Sequence, residues 1–153
     1  MARLGAAVNV VTTDGPAGRY GFTASAVCSV SDEPPMLLVC VNRNSDSCRP
    51  AKQNGVLCVN VLTHAQQALS PVFGGLTDVP QHRRFSYGSW TRIVTGAPAL
   101  IGAAVSFDCR VVQVVPAGTH DVLFCEVDDL RTGADHEGLI YFGRSYHRVA
   151  QGG

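Results

Sequence analysis

Residues 18–30 read GRYGFTASAVCSV, and this stretch decides the fold. It alternates as a β-strand does, with Phe22, Ala24, Ala26, Cys28 and Val30 on one face and Thr23, Ser25, Val27 and Ser29 on the other. A buried strand is ordinarily filled by bulky β-branched residues. Here the positions hold Ala and Ser, so something approaches the backbone closely and meets hydroxyls there. A tightly packed sandwich face accounts for the same pattern, and the stretch alone leaves both readings open.

The flanking sequence predicts a hairpin. Val8 to Thr13 alternates as a strand, and DGPAG at 14–18 is a turn set by Gly and Pro. SDEPP at 31–35 is a break, after which Met36 to Val41 is continuously apolar, as in a strand buried on both faces. NRNSDSCRPAKQNG follows as a polar link with a short helix, capped by Ser45, Asp46 or Ser47 and ended by Asn54-Gly55. Leu57 to Leu62 is a strand interrupted by the polar Asn60. Thr63 and Gln66 form a capping box, with Ala65, Leu69 and Phe73 as an apolar helical stripe that Pro71 makes irregular and Gly74-Gly75 stops.

Residues 76–89 have no clear period and read as a long loop. From 103 to 115 the chain alternates, with Val105, Phe107, Cys109 and Val111 inward and Ser106, Asp108 and Arg110 outward. PAGTH at 116–120 turns the chain, and Leu123, Cys125 and Val127 face inward on the return. GADHEG at 133–138 turns it again, LIYF at 139–142 is a core strand, and GRSYHRVA is a short edge strand. Many short strands, tight turns and two or three short helices predict a mainly β fold, a closed or partly closed barrel.

Composition narrows the function. The 153 residues suit one domain over 1–153, and 46% hydrophobic with 16% charged residues suits a compact globule. The net charge is zero, and the adjacent pair Arg83-Arg84 reads as a solvated pair, so nucleic acid is not an expected partner. No apolar run reaches the ~18 residues of a membrane span. Six cysteines (28, 40, 48, 58, 109, 125) form no C-x-x-C, sit mostly in apolar runs and read as buried free thiols of a cytoplasmic protein. The five histidines lie in separate segments, so no metal site is expected. A strand beginning almost at once, near Gly5, suggests an element preceding Met1.

The dinucleotide fingerprint, the phosphate-binding P-loop and the nucleophile elbow are all absent. Four segments suit an anionic, flat ligand. Asn42-Arg43-Asn44-Ser45-Asp46-Ser47 leads from a strand into a helix and offers backbone N–H groups, hydroxyls and a guanidinium, although a plain capped loop looks the same. The hydroxyl face of 23–29, the buried amide of Asn60, and Thr119-His120 with Arg144-Ser145-Tyr146-His147 complete the set. Asn60 is satisfied equally by a neighbouring loop, and a histidine at a hairpin tip is often simply exposed.

With those segments identified, the sequence resembles the flavin reductase family with a split-barrel (Greek-key) FMN-binding fold. GAAVNVVTTDGPAG, GFTASAVCSVSDEPPMLLVCVNRNS, LCVNVL, FGG, SFDCRVVQVVPAGTHDVLFCEV and GLIYFGRSYH carry the resemblance, in order, over most of the chain. The resemblance implies a homodimer that reduces FMN, or FAD, with NADH, or NADPH, and hands the reduced flavin to a flavin-dependent monooxygenase component. It implies that Thr23, Ala24, Ser25 and Ala26 line the flavin, that Asn42, Arg43, Asn44, Ser45 and Ser47 hold its ribityl-phosphate arm, and that Asn60 lies nearby. His120 would orient the dinucleotide, with Arg144, Tyr146 and His147 on the nicotinamide side and no general base. Relatives carry an N-terminal helix that this chain lacks. The same barrel also suits a non-enzymatic flavin- or haem-binding protein.

Overall fold

The computed structural model describes residues 1–134 and 137–150. Strand β1 (Ala6–Ala7) leads into β2 (Asn9–Thr13), and the DGPAG turn returns the chain as β3 (Tyr20–Ala24). β2 and β3 pair antiparallel with Asn9 opposite Ala24 and Thr13 opposite Tyr20, the expected hairpin. The stretch 18–30 is not one strand, however. It breaks at Ser25 and Ala26, and β4 (Val27–Asp32) pairs instead with β5 (Pro35–Asn42). The Asn9 amide holds the Ala24 carbonyl at 3.0 Å, while the Ala26 carbonyl accepts from the Cys40 N–H at 3.0 Å. The chain therefore changes partners within two residues.

Helix α1 (Cys48–Asn54) ends as expected at Gly55, whose left-handed φ of 69° suits glycine and whose N–H donates to the Ala51 carbonyl. β6 (Val56–Val61) follows. Gln66 Oε1 accepts from the Thr63 N–H at 3.2 Å, but the expected single helix is two pieces, a 3-10 turn (His64–Gln66) and α2 (Leu69–Phe73). Starting α2 at Leu69 puts Pro71 in the first turn, where a missing N–H costs nothing. The expected loop at 76–89 contains a short helix, α3 (Gln81–Arg84). β7 (Trp90–Thr91), β8 (Ala99–Leu100), β9 (Val105–Ala117), β10 (His120–Thr132), β11 (Gly138–Phe142) and β12 (Ser145–Val149) complete the chain. The turn expected over 133–138 lies partly outside the described residues.

Seven strands form one antiparallel sheet in the order β3-β2-β6-β9-β10-β5-β4. Its two edges, β3 and β4, are joined by Ser25 and Ala26 alone, so the sheet must curl until its edges meet at one seam. The interior of this barrel is filled by Val11, Leu37, Val39, Leu57, Cys109 and Leu123 among others. A second core of Val10, Leu62, Phe73, Leu100 and Leu139 packs α2 and the small sheet β1-β11-β12 against the outside.

The alternation expected along β9 holds geometrically, but its outward residues are not all in water. Ser106 and Asp108 are buried beneath the segment around residues 94–100. Asp108 accepts from the N–H groups of Val94 and Thr95 and from the Thr95 hydroxyl at 2.6–2.8 Å. β5 is also not covered on both faces within one chain: Leu37, Val39 and Val41 are buried, while Met36, Leu38 and Cys40 are half-buried. All six cysteines are free; Cys48, Cys58, Cys109 and Cys125 are buried, Cys40 is half-buried and Cys28 is exposed, against the expectation for that one. Burial pushes the Cys125 thiol up to about 12 and raises Cys58 and Cys109 as well.

Candidate functional site

The seam between β3 and β4 opens into a cleft of about 530 Å³, within the range of sites for small ligands and cofactors. Phe22 to Ala26 form one wall, and Cys40 to Asn42 with Asn44 to Asp46 form the second. Phe73, Gly74, Gly75 and Arg84 form the third, and His120 stands at the rim. The small side chains of the opening stretch are thus at the cleft. Among the described residues, no acceptor of the chain takes the N–H of Ser25 or Ala26, because this is where the strand has left β2 and not yet reached β5.

The second wall is a self-bonded turn. Asn42 Oδ1 accepts from the Asn44 N–H at 2.9 Å, and Ser45 Oγ accepts from the Ser47 N–H at 3.2 Å. Ser47 itself is fully buried and serves as a strut: its hydroxyl accepts from Gln81 Nε2 at 3.0 Å and contacts the Gly21 carbonyl at 3.5 Å. Gln81 also donates to Asp46 Oδ1 at 2.9 Å and to the Gly21 carbonyl at 3.1 Å, and accepts from the Gly21 N–H at 3.0 Å. Gly21 is required by close approach, since a Cβ there would sit 2.7 Å from the Phe73 ring.

Arg84, expected as half of a solvated pair, turns inward instead. Its Nε donates to the Val79 carbonyl at 3.0 Å, and its Nη1 donates to the Gly21 and Phe73 carbonyls at 3.0 and 3.2 Å. Nη2 lies toward Gly75 at the cleft wall. Thr23 Oγ1 is committed to the Ser70 carbonyl at 2.6 Å, so this residue offers the cleft its backbone and methyl rather than a free hydroxyl.

At the rim, His120 Nδ1 is 2.8 Å from the Thr119 hydroxyl, which steadies the ring. Tyr146 lines a smaller adjoining cavity of about 220 Å³ that shares Thr23, Ser25 and Gly74 with the main cleft. Its hydroxyl meets Ser70 Oγ at 2.7 Å and its ring packs edge-on to Tyr141.

The structure therefore brings Thr23, Ala24, Ser25, Ala26, Asn42, Asn44, Ser45 and His120 to one cleft, with Tyr146 beside it. It leaves five of the named residues out. Asn60 is fully buried beneath the residue 94–106 segment, bonded to Val10, Leu100 and Ser106. Arg43 bonds the β9–β10 turn, and Ser47 is a strut. Arg144 sits in the exposed β11–β12 turn with φ 64°, and His147 contacts the Phe142 carbonyl at 3.0 Å; neither lines either cavity. Sequence reasoning missed Phe22, Cys40, Val41, Phe73, Gly74, Gly75 and Arg84 as cleft residues. FGG entered as a helix stop and as one segment of the resemblance, with no role at the site, and the one sign of α3 was Pro80 before a polar run.

The arrangement fits a flavin mononucleotide. A flat ring needs a wall without bulky side chains and backbone donors for its polar edge, which residues 23–26 supply. A phosphate needs a cation and hydroxyl or amide donors, which Arg84, Ser45 and Asn44 supply. Among the described residues, no group of three or more His, Cys, Asp or Glu side chains could hold a metal ion, and no helix is long and apolar enough to cross a membrane.

Comparison with known proteins agrees. The Flavin reductase like domain family matches residues 1–150. A protein named FMN reductase (NADH) RutF from Variovorax paradoxus strain S110 is 63% identical over 150 residues, spanning 98% of this chain and 82% of its own. A crystal structure from Haemophilus somnus 129PT is similar with a TM-score of 0.92 and 46% identity, over 97% of this chain and 94% of that one. BorF, the flavin reductase component of a bacterial two-component tryptophan halogenase, is similar with a TM-score of 0.90 and 26% identity, over 98% of this chain and 94% of that one.

Proposed function

The chain belongs to the flavin reductase family, and from that premise we propose that it is an NADH-dependent FMN reductase supplying reduced flavin to a partner monooxygenase of a two-component system. The observation that carries this reading is the seam cleft: a wall of small residues with free Ser25 and Ala26 N–H groups, facing a turn and a guanidinium suited to phosphate. The name of the Variovorax relative supports FMN and NADH over FAD and NADPH. The two-component role of BorF supports a separate acceptor of the reduced flavin.

Bound flavin supplies the ring that accepts a hydride from the nicotinamide. The chain's own residues bind and orient. Ser25 and Ala26 donate to the polar edge of the ring, Ala24 and Ala26 leave room for its plane, and Asn42, Asn44 and Ser45 hold the ribityl-phosphate arm with Arg84. His120, at the open rim, orients the dinucleotide, and Tyr146 bounds the adjoining cavity. No side chain needs to act as a general base.

The half-buried outer face of β5, with exposed Val115 on the same face of β9, supports a homodimer built on this side of the sheet. Six free thiols support a cytoplasmic location. We propose that residues 1–153 form a single flavin-binding domain.

The test is NADH oxidation by the purified protein under air, with and without added FMN. Flavin-dependent turnover is expected. Quenching of FMN fluorescence without NADH oxidation would leave a flavin-binding protein and overturn the enzymatic reading.

A further inference from the structure

The hairpin tip that carries His120 rests on a charge cluster that the proposed chemistry does not use. The Arg43 N–H donates to the Thr119 carbonyl at 3.1 Å. Its Nη1 donates to the His120 carbonyl at 2.7 Å and to Asp121 Oδ1 at 3.2 Å, and its Nη2 donates to the Gly118 carbonyl. One residue thus takes three consecutive carbonyls of the β9–β10 turn. Asp121, whose side chain is 4% exposed, is held from the other side by Lys52 Nζ of α1 at 2.7 Å and contacts Cys48 Sγ at 3.6 Å.

The tip has little else to stand on. Residues 112–119 are all exposed. The ladder reaches the turn at His120, which pairs with Asn42 on β5 and with Ala117 across the hairpin; Gly118 and Thr119 lie beyond it. Arg43 lies one residue beyond Asn42, in the same turn as Asn44 and Ser45. It therefore ties the wall that meets the flavin arm to the hairpin that meets the dinucleotide.

We propose that Arg43 is a positioning residue rather than a phosphate ligand: it clamps the turn 118–120 so that His120 stands over the cleft, and Asp121 with Lys52 clamps Arg43. The proposal rests on the reading of His120 given above. A guanidinium with both terminal nitrogens on protein acceptors, outside the cleft lining, is placed for this role and not for phosphate. Charge-assisted hydrogen bonds of this kind are strong and geometrically specific.

The experiment uses Arg43→Met and Arg43→Lys in the full chain. Without any ligand, amide hydrogen exchange at His120 and Asp121 is expected to accelerate about tenfold or more in Arg43→Met, from loss of the charge-assisted bonds. With flavin, the preference for FMN over riboflavin in fluorescence titrations stays within about twofold of wild type, while NADH kcat/KM falls about tenfold or more. Arg43→Lys keeps the charge but not the fork, and stays nearer Arg43→Met than wild type. Unchanged exchange at the tip overturns the clamp whatever the activity. Loss of the FMN-over-riboflavin preference overturns it in favour of a phosphate ligand. If wild type itself fails to oxidise NADH, the enzymatic reading falls, while the exchange result still decides the clamp.

Discussion

Replacing Asn60 with leucine separates a structural amide from a cofactor ligand. Asn60 is fully buried; its Oδ1 accepts from the Leu100 N–H and the Ser106 hydroxyl, each at 2.8 Å, and its Nδ2 donates to the Val10 carbonyl at 3.0 Å. Leucine fills similar volume, so little cavity forms. The Leu100 N–H and the Ser106 hydroxyl lose their acceptor where water does not reach, while the Val10 carbonyl stays in the β2–β6 ladder. Each such group costs about 1–3 kcal/mol, so the pair costs about 4 kcal/mol. Greater apolar burial of leucine offsets about 1 kcal/mol. The net loss is about 3 kcal/mol, which in a domain of this size lowers Tm by about 10 °C. Thermal unfolding followed by circular dichroism measures this, and FMN titration below the transition gives the Kd of the folded variant. The expected result is the lower Tm with a Kd within about twofold of wild type. A Tm drop smaller than about 2 °C, accompanied by clearly weaker FMN binding, would refute the reasoning.

Four further outcomes are expected. His120→Ala raises the NADH KM or lowers kcat about tenfold while the FMN Kd stays, as steady-state kinetics and fluorescence titration will show. Arg84→Ala raises the FMN Kd about tenfold or more and flattens its salt dependence, with riboflavin binding less affected. The Asp121 carboxyl is held below the usual carboxylate range, foremost by the Lys52 hydrogen bond, and Lys52 is raised by the same bond. Asp121 then contributes stability that is present above the unfolded pKa of ~3.9 and lost as pH falls through the lower folded value, while the Lys52 contribution is full below ~10.4 and fades as pH rises through its higher folded value. The Tm values of wild type and Asp121→Asn should therefore converge below about pH 4 and separate between there and about pH 10. In the native protein an aromatic disulfide reagent should leave the four buried thiols untouched and titrate at most Cys28 and Cys40, with any reaction of Cys40, which lines the cleft, slowed by FMN.

Much of this protein is legible along the chain, because strands and turns obey local rules. The 8–13 and 20–24 hairpin, the Gly55 helix stop and the β9–β10 pair follow from alternation and turn residues. The cleft wall at 23–26 and the turn at 42–46 were also visible, since small residues and hydroxyls stood where bulky ones belong. Misreadings arose where one local pattern has two tertiary outcomes. An alternating run of thirteen residues at 18–30 looks continuous whether or not it changes partner at Ser25. Asp108 looks solvent-facing because alternation reports which side of a sheet a residue is on, not what covers that side.

What the amino-acid order determined by itself was the set of short antiparallel strands, the small-residue stretch and the resemblance that named a flavin. What only the tertiary structure decided was which polar residues face the cleft. Arg43, Ser47 and Asn60 carry suitable groups, but their donors and acceptors are consumed by backbone carbonyls and neighbouring side chains far away in sequence. Arg84, from an unpatterned loop, is brought to the cleft because α3 packs over Gly21 and turns one guanidinium nitrogen toward Gly75. A side chain's chemistry is written locally, but whether its hydrogen bonds remain free for a ligand depends on every group folded against it.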